Sequence, residues 1–387
     1  MQATKLKDLH TPCLLIEQSK LKQNISYLSE HIGALGCVIR PHVKTHKSVD
    51  ITQLIVDAGN TQGITVSTLK EAKHFFAAGY TDILYAVGIV PNKFAAVQSL
   101  MEQGCKITVI LDSLELAKLL GEYADTQQVV FNVLIELDVD KHRAGVNPHS
   151  QTLLDIAYAL HHQSYTQLQG VMTHAGGSYE CFEKSSQLAL ARQERDLSLL
   201  AAERIRAEGI ACKTVSIGST PTAFAIDDLS GITEVRAGVY VLFDLVMSGL
   251  GVCKIDDIAI SVMGSIIGFQ KEKQMALCDA GWMAMSRDRG TAGHKIDQGY
   301  GLICDKNGAL IANMLMTSAN QEHGIISMRK ANTQRGKSTD FPFALFSIGD
   351  LIRILPNHAC ATAAQYNHFY LVDGDKVIKT LPSISGW

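Results

Sequence analysis

Short apolar runs rich in Val and Ile alternate with amphipathic helical segments between about residues 12 and 245. Near-continuous apolar strands that alternate with helices are typical of a parallel sheet covered by helices. Eight such strand–helix pairs predict a (β/α)8 barrel of the TIM type. An open doubly wound sheet is the alternative, but no G-x-G-x-x-G sequence opens the first helix. The predicted strands cover residues 37–43, 63–67, 82–87, 106–111, 131–138, 168–174, 214–217 and 234–240.

The pattern changes after about residue 250, where helical periodicity gives way to short strand-like runs separated by Gly-rich turns. Strands are predicted over residues 258–269, 274–278, 346–355 and 369–373. A chain of 387 residues is long enough for two domains. We therefore expect a barrel domain over residues 12–248 and a smaller, mainly-β domain over residues 249–387, which residues 1–11 could join.

The composition excludes several classes of function. A net charge of −3 and few aromatic residues, without a long basic run, argue against a nucleic-acid partner. Apolar runs do not reach the length that spans a membrane, and the first residues do not resemble a signal sequence, so we expect a cytoplasmic protein. Nine scattered cysteines without a C-x-x-C pair argue against a disulfide framework or a structural zinc site.

A basic segment, Arg40-Pro41-His42-Val43-Lys44-Thr45-His46-Lys47, begins within the first predicted strand and continues beyond it. If this segment is extended, His42, Lys44 and His46 project from the same face. Neighbouring positive charges disfavour an ammonium ion and leave more free amine, which is the form that makes a Schiff base. The pattern is thus compatible with a Schiff-base lysine, and the alternative is a basic strand end that faces water.

Glycines and small hydroxyl residues follow the seventh and eighth predicted strands, in Gly218-Ser219-Thr220 and Arg236-Ala237-Gly238. Glycine lets backbone N–H groups approach an anion closely, and the hydroxyl groups add donors. Barrel enzymes often bind phosphate at these two places. Either loop alone is more often an ordinary turn, but the two together, opposite a candidate lysine, favour a phosphate-bearing cofactor.

Polar side chains also follow the fifth and sixth predicted strands. His174 ends the sixth strand, where an imidazole can stack on a flat ring, and the alternative is a histidine that is merely packed. The fifth strand leads into a loop that contains Asp138, Asp140 and Arg143. Its mixed charges suit a self-paired loop as well as a metal cluster. We favour Arg143 as a cation that faces a cofactor over a metal role for either aspartate.

The sequence His358-Ala359-Cys360 lies in the predicted β domain. In an extended chain the imidazole and the thiolate would lie on the same side, and both groups are good zinc ligands. The four protein ligands of a structural zinc site are not visible, whereas two ligands plus water or substrate would make an open, catalytic site. The alternative is a packed histidine beside a core cysteine.

Five motifs occur along the chain in this order: Pro41-His42-Val43-Lys44-Thr45-His46-Lys47, Met172-Thr173-His174, Asp279-Ala280-Gly281-Trp282, Gln321-Glu322-His323-Gly324 and Pro356-Asn357-His358-Ala359-Cys360. Together they resemble the D-serine dehydratase / D-threonine aldolase family of fold-type III pyridoxal-phosphate enzymes, which are relatives of bacterial alanine racemase. The resemblance spans nearly the whole chain. It implies a barrel plus a β domain, usually in a homodimer, with pyridoxal phosphate on a lysine and a divalent metal, either zinc or manganese.

The resemblance also assigns residues by position. Lys44 would carry the cofactor, His174 would lie against its ring, and Arg143 would lie near its phenolic oxygen. Arg236 fits an R-x-G pattern of racemases and would face the pyridine nitrogen. Four residues would lie at or close to the phosphate: Ser219, Thr220, Gly238 and Tyr240. Three residues are candidates for contacting a substrate carboxylate: Tyr179, Gln321 and His323.

The remaining pair, His358 and Cys360, would hold the metal and also separates the activities within this family. Dehydratases resemble His-x-Cys at this place and aldolases resemble His-Cys-Asp, so the pair points to dehydration. Alanine racemases carry Ala-Asn-Ala-Tyr-Gly after their lysine, whereas Thr45-His46-Lys47 follows Lys44. Because the opposite-face tyrosine of racemases is also not found by motif, racemisation is disfavoured.

The expected reaction converts a D-3-hydroxy amino acid, such as D-serine, D-threonine or D-3-hydroxyaspartate, into a 2-oxo acid and ammonia. Lys44 would remove the Cα proton, and the metal would assist departure of the β-hydroxyl group. The alternative within the family is an aldolase that gives glycine and an aldehyde. A non-catalytic pyridoxal-phosphate carrier is disfavoured by the additional β domain. A metal-dependent hydrolase that uses His42 and His46 would leave Lys44 unexplained.

Overall fold

Eight parallel strands and the helices between them form the first of two units in a computed structural model that describes residues 5–329 and 340–387. This barrel unit contains residues 25–238, with residues 386–387. The second unit contains the chain up to residue 24 and from residue 239 to 385. The predicted barrel domain covered residues 12–248, so the units divide at different places, and the first helix is shared between them.

The secondary structure is numbered along the chain. The strands are β1 (Cys13–Glu17), β2 (Val38–Pro41), β3 (Ile64–Val66), β4 (Asp82–Gly88), β5 (Lys106–Leu111), β6 (Phe131–Leu137), β7 (Thr166–Thr173), β8 (Thr214–Ile217), β9 (Glu234–Ala237), β10 (Ile260–Gln270), β11 (Met275–Cys278), β12 (Gly301–Cys304), β13 (Leu310–Ala319), β14 (Gly324–Met328), β15 (Leu351–Pro356), β16 (His368–Asp373) and β17 (Lys376–Pro382). The α-helices are α1 (Gln18–Ala34), α2 (Val49–Asp57), α3 (Leu69–Ala77), α4 (Pro91–Glu102), α5 (Leu114–Gln127), α6 (Gln151–His162), α7 (Lys184–Ala207), α8 (Thr220–Ala225), α9 (Leu245–Gly249), α10 (Trp282–Met285) and α11 (Ala359–Ala363).

The barrel sheet has the strand order β2-β9-β8-β7-β6-β5-β4-β3 and is parallel throughout. Isolated parallel bridges between Ile39 and Thr61 and between His42 and Thr65 join its two outer strands and close the barrel. A hydrophobic cluster fills one side, with contributions from four adjacent strands: Leu84, Ile110, Leu134 and Met172. All eight predicted barrel strands are confirmed. They could be recognised in the sequence because strands buried on both faces form continuous apolar runs.

Two of the predicted barrel strands end two or three residues earlier than expected. The first stops at Pro41 and is followed by a 3-10 helix over Val43–Thr45, and the last stops at Ala237 and is followed by a 3-10 helix over Val239–Val241. The residues predicted to extend these strands therefore lie in tight turns at the carboxyl ends of the strands. This end of a parallel barrel is where catalytic side chains are normally found.

The second unit is built on a nine-stranded sheet with the order β11-β14-β13-β12-β15-β10-β1-β16-β17. β1 pairs antiparallel with β10 and parallel with β16, so a strand from the N-terminal part of the chain lies inside this sheet. The four predicted β-domain strands are present, although β15 covers only the end of the run predicted over 346–355. Five strands were not predicted: β1, β12, β13, β14 and β17. Register shifts interrupt the pairing of β13 with both of its neighbours and blur the two-residue alternation by which a strand is recognised.

The helices of the described residues do not include one that is both long and apolar enough to span a bilayer. All nine cysteines lie in the described part of the chain, and none of them forms a disulfide bond.

Candidate active site

Lys44 lies in the 3-10 turn that follows β2, and its side chain is exposed. His42 precedes this turn, and its Nδ1 accepts a hydrogen bond from the backbone N–H of Lys44 at 3.4 Å. Burial holds the pKa of His42 well below its ordinary value, and the charges of Lys44 and Arg236 lower it further. The imidazole that accepts from the backbone of the candidate lysine is thus neutral.

The prediction that His42, Lys44 and His46 share one face of an extended segment is wrong, because residues 43–45 form a turn. His46 is buried, with 1% of its surface exposed, and its Nδ1 accepts a hydrogen bond from the N–H of Ser48 at 3.1 Å. Burial lowers the pKa of His46 to about 3. The turn also removes the extended geometry on which a hydrolase that uses His42 and His46 would depend.

His174 follows β7 with its Nδ1 3.0 Å from the carbonyl oxygen of Gly218. Because a carbonyl oxygen only accepts, Nδ1 donates its hydrogen there, and Nε2 keeps its lone pair. Burial, supported by the charges of Lys44, Arg143 and Arg236, lowers the pKa of His174 to about 3, although the bond to Gly218 opposes that shift. The structure therefore brings three predicted site residues within electrostatic range of a neutral, flat ring.

Arg236 lies in β9 and is buried, with 4% of its surface exposed. Its Nη1 donates to the hydroxyl oxygen of Ser216 at 2.6 Å, and its Nη2 donates to the carbonyl oxygen of Thr173. Burial lowers the pKa of Arg236, while the nearby carboxylates of Glu234 and Glu194 raise it. The guanidinium group therefore has a fixed orientation.

A chain of polar contacts continues from Arg236 around the barrel. Ser216 donates to Glu234 Oε1 at 2.6 Å, and Arg40 Nε donates to Glu234 Oε2 at 2.7 Å. Arg40 also donates from Nη1 to Asp82 at 2.9 Å. Charges alternate along this chain, so each buried group has an opposite neighbour, as buried ions require.

Arg143 lies in the loop after β6, more than half exposed, with its Nη2 3.5 Å from Glu136 Oε1. The acids of this loop bind backbone groups: Asp138 accepts from the N–H of Lys141 at 2.6 Å, and Asp140 accepts from the N–H of Gly177 at 2.8 Å. The loop is thus paired partly with itself and, through Asp140, with the segment that follows β7. The role of Arg143 toward a cofactor stays a prediction.

The predicted phosphate loop connects β8 to α8. Ser219 caps α8, and its hydroxyl group lies 3.3 Å from the N–H of Thr222 and 2.8 Å from the hydroxyl group of Ser178. Gly218 has φ +139°, and a Cβ there would lie 2.1 Å from the carbonyl oxygen of Arg236. The Thr220 Oγ1 is buried and has no hydrogen-bond partner among the described residues. An unsatisfied buried hydroxyl group fits a phosphate oxygen as its missing partner.

Two further residues were assigned to the phosphate. A Cβ at Gly238 would lie 2.9 Å from the carbonyl oxygen of His42, so the chain approaches too closely there for a side chain. Tyr240 belongs to the second unit. It is buried, its hydroxyl group has no partner among the described residues, and burial raises its pKa. Its place at the phosphate stays a prediction.

The predicted metal pair lies in the second unit. The expectation that residues 358–360 are extended is wrong, because α11 begins at Ala359 and Cys360 lies in its first turn. His358 nevertheless makes a side-chain hydrogen bond with Cys360, and its Nδ1 lies 2.6 Å from Asp288 Oδ2. Burial alone would lower the pKa of His358, but Asp288 and Cys360 outweigh it and raise the pKa to about 11.

A second carboxylate, that of Asp244, binds the backbone of the residue between His358 and Cys360. Asp244 is buried, and its Oδ2 accepts from the N–H of Ala359 at 2.8 Å, between the two candidate ligands. Its Oδ1 accepts from the N–H of Met247 at 2.9 Å. Within residues 5–329 and 340–387, no group of three or more His, Cys, Asp or Glu side chains is arranged to hold a metal. Imidazole and thiol in contact nevertheless suit a metal whose other positions are open.

The substrate candidates lie in different units. The ring centroid of Tyr179 is 6.5 Å from that of His174. Gln321 and His323 lie in the turn before β14 with exposed side chains, and the carbonyl oxygen of Gln321 accepts from the N–H of Met283 at 3.1 Å. A Cβ at Gly281 would lie 2.2 Å from that oxygen, which gives the Gly281-Trp282 motif a packing role. Contact of these three residues with a substrate stays a prediction.

Sequence reasoning missed the charged residues that support the candidate residues of each unit. Arg40 and Glu234 had a visible signal, since each is a charge inside an apolar strand. Glu194 had a weaker one, because it lies among small residues on one face of α7. Asp244 and Asp288 had no signal that links them to the metal pair, since the partners that they have there, Ala359 and His358, are 115 and 70 residues away along the chain.

Comparison with known families covers most of the chain. Residues 16–245 match the family described as "Alanine racemase, N-terminal domain", and residues 259–372 match the family described as "Putative serine dehydratase domain". D-threo-3-hydroxyaspartate dehydratase from a Delftia species is 46% identical over 387 residues, which are 100% of each chain. Its solved structure has a TM-score of 0.95 and 45% identity, and the match covers 99% of this chain and 100% of that chain.

More distant relatives follow. D-serine dehydratase from Dictyostelium discoideum is 31% identical over 392 residues, covering 96% of each chain. 3-hydroxy-D-aspartate aldolase from Paracoccus denitrificans is 24% identical over 390 residues, covering 97% of this chain and 92% of the aldolase. Two further similar structures are variants of D-threo-3-hydroxyaspartate dehydratase with alanine in place of a histidine or of a cysteine two positions later, the latter in the metal-free form. The chain therefore belongs to the family of enzymes that join an alanine racemase N-terminal domain to a serine dehydratase domain, the family that its motifs resemble.

Proposed function

We propose that this protein is a pyridoxal-phosphate-dependent lyase that dehydrates D-3-hydroxy amino acids, with D-threo-3-hydroxyaspartate as the preferred substrate. The products are then the 2-oxo acid and ammonia. The observation that carries the proposal is the 46% identity, over the whole length of both chains, with a dehydratase of that substrate. The 31% identity with a D-serine dehydratase supports the same type of reaction, on a substrate with a smaller side chain.

The barrel residues fit the cofactor. Lys44 would bind it covalently, and Ser219 and Thr220 would bind its phosphate. Pyridoxal phosphate, when bound, supplies an electron sink for the pair left at Cα when the proton is removed. His174 presents a neutral ring that packs without adding charge. With its amine free, Lys44 would take the Cα proton as general base.

His358 and Cys360 fit a divalent metal, and we propose zinc. Asp288 binds Nδ1 of His358, which leaves Nε2 as the ligand atom. The histidine and cysteine replaced in the dehydratase variants have the same spacing as this pair, and the metal-free state of one variant supports a metal role. Held by these two side chains, zinc would supply a Lewis acid for departure of the β-hydroxyl group.

We also propose that the protein is cytoplasmic, and that it forms a homodimer, as its family resemblance implies. The absence of disulfide bonds among the nine cysteines supports a reducing compartment. Sedimentation or light scattering of the purified protein measures the oligomeric state directly. A mass near 42.1 kDa, which is that of one chain, would contradict the dimer.

The test supplies purified protein with pyridoxal phosphate and zinc and follows the products from D-threo-3-hydroxyaspartate, D-serine and D-threonine. Dehydration of the first substrate gives oxaloacetate and ammonia. An aldolase would give glycine and glyoxylate from the same substrate, and that result would overturn the proposal. Borohydride reduction followed by peptide mapping should label Lys44, and the Lys44→Ala variant is the matched control for both measurements.

A further inference from the structure

Glu194 is a buried carboxylate in the middle of α7 to which the proposed reaction gives no role. It has 0% of its surface exposed. Its Oε1 accepts two backbone hydrogen bonds, from the N–H of Gly218 at 3.0 Å and from the N–H of Ala175 at 3.2 Å. These two residues follow β8 and β7, so one oxygen atom joins the carboxyl ends of two adjacent barrel strands.

Both peptide groups bear directly on His174. Ala175 is the next residue along the chain, and Gly218 provides the carbonyl oxygen that accepts from Nδ1 of His174 at 3.0 Å. On the other side, Arg236 donates to the carbonyl oxygen of Thr173, the residue before His174. The backbone of His174 is therefore held from both sides, by a carboxylate and by a guanidinium group that attract each other.

The packing of α7 does not itself require a carboxylate at this position. The nearest buried positions on either side of it in the same helix, Ala191 and Ser198, hold small side chains. A buried carboxylate has a large desolvation cost, which is offset only by well-placed donors and opposite charge. The side chain thus has a cost that an apolar residue of similar size would avoid.

We propose that Glu194 is a positioning residue that fixes the ring plane and the tautomer of His174, and thereby the surface on which the cofactor ring rests. The inference rests on the proposed function, which assigns His174 to that ring. Loss of the shared acceptor frees the peptide groups of Ala175 and Gly218. The Gly218 carbonyl then no longer selects Nδ1 as the protonated nitrogen, and the ring turns.

Three variants separate the acceptor from the charge. Glu194→Gln keeps an oxygen that can accept both N–H groups but has no charge. Glu194→Met keeps the volume and removes the acceptor. Glu194→Asp keeps the charge but is one methylene shorter, so its oxygen cannot reach both groups, and this variant serves if the Met variant does not fold. Ser198→Ala is the matched control, because its hydroxyl group is buried on the same helix face and donates to the backbone carbonyl of Glu194 at 2.7 Å.

The first readout is the tautomer of His174 in the cofactor-free protein, measured by nitrogen-15 NMR on histidine-labelled protein and assigned with a His174→Asn variant. We expect the Nδ1–H tautomer in wild type, Glu194→Gln and Ser198→Ala. We expect a mixture in Glu194→Met and Glu194→Asp. Retention of the pure Nδ1–H form in folded Met or Asp variants overturns the proposal. This readout needs no cofactor, so it remains decisive if the wild type does not bind pyridoxal phosphate.

The second readout uses the holoenzyme. A tilt of the ring beneath the cofactor changes the visible circular dichroism of the bound cofactor, and misplacement by about 1 Å lowers kcat/KM on the order of 100-fold. We expect both changes in the Met and Asp variants and neither in the Ser198→Ala control. Rescue of the wild-type spectrum and rate by Glu194→Gln identifies the acceptor as the element that matters. A Gln variant as impaired as the Met variant overturns this assignment.

Discussion

Asp288 Oδ2 lies 2.6 Å from His358 Nδ1, which joins the loop after α10 to the residue that precedes α11. This contact occupies one ring nitrogen and so determines which nitrogen remains for a metal. Histidine ligands of metal sites commonly donate their other N–H to a carboxylate in this way. A paired carboxylate also makes the imidazole more electron-rich, and therefore a better ligand.

Replacing Asp288 is expected to weaken metal binding more than it weakens folding. Loss of such a supporting carboxylate lowers metal affinity about 10- to 100-fold. We therefore expect Asp288→Ala to bind zinc about 10- to 100-fold less tightly in competition with a chromophoric chelator. Asp297→Asn is the control, because Asp297 pairs with Arg289 in the same loop. An unchanged zinc affinity in Asp288→Ala would contradict a supporting role.

Replacing Cys360 tests the metal pair itself. We expect Cys360→Ala to lose zinc on dialysis, with affinity reduced on the order of 100-fold or more, because a ligand matters at least as much as its support. Dehydration should fall with the metal content. Borohydride labelling of Lys44 should persist, because the cofactor lysine does not depend on the thiol. Cys304→Ala, which removes a buried thiol from β12, is the matched control, and a Cys360 variant with full zinc content and activity would rule the pair out.

The buried pair of Arg40 and Glu234 gives a prediction of stability. The two side chains are 9% and 4% exposed, and Arg40 Nε lies 2.7 Å from Glu234 Oε2. Removing one partner of a buried pair leaves an uncompensated charge and costs about 3–5 kcal/mol. We expect Arg40→Met to lower the free energy of unfolding in urea by that amount, and Arg40→Met with Glu234→Gln to recover part of it.

An exposed pair is the control for this measurement. Arg192 and Asp227 also form an ion pair, but both side chains are about half exposed, so water replaces the lost partner. We expect a much smaller change from Arg192→Met. A double variant of Arg40 and Glu234 that is no more stable than Arg40→Met alone would show that the two charges do not compensate each other.

The sequence carries enough information to predict the barrel and the end of it at which the candidate site residues meet. Strands buried on both faces read as continuous apolar runs, and β5 and β8 have the predicted bounds. Because parallel strands point the same way, residues at their carboxyl ends converge, and the charges of Lys44, Arg143 and Arg236 all reach His174. Both the barrel and this convergence follow from the sequence pattern, without a measured distance between residues.

Local turns and long-range contacts could not be predicted in the same way. The apolar–polar alternation across residues 42–46 is equally compatible with a strand and with the turn that forms. The predicted orientation of the His46 side chain was therefore wrong. The contact between Asp288 and His358 joins residues 70 positions apart, and no local pattern encodes it. Glu194 cannot be told apart in the sequence from the other charged residues of its helix, and only the structure shows that it is buried.

The burial of His46 predicts how stability changes with pH. An unfolded histidine binds a proton near pH 6.5, whereas His46 in the folded protein does so only near pH 3, so the unfolded state holds more protons between these values. Stability is therefore lost as pH falls below about 6.5, by about 2 kcal/mol between pH 7 and pH 5 for this one group. His46→Asn keeps an acceptor for the Ser48 N–H and should remove that part of the difference in urea unfolding at the two pH values. His149→Asn, which replaces an exposed imidazole, is the control, and an equal pH dependence in wild type and His46→Asn would show that the buried ring takes up its proton without unfolding.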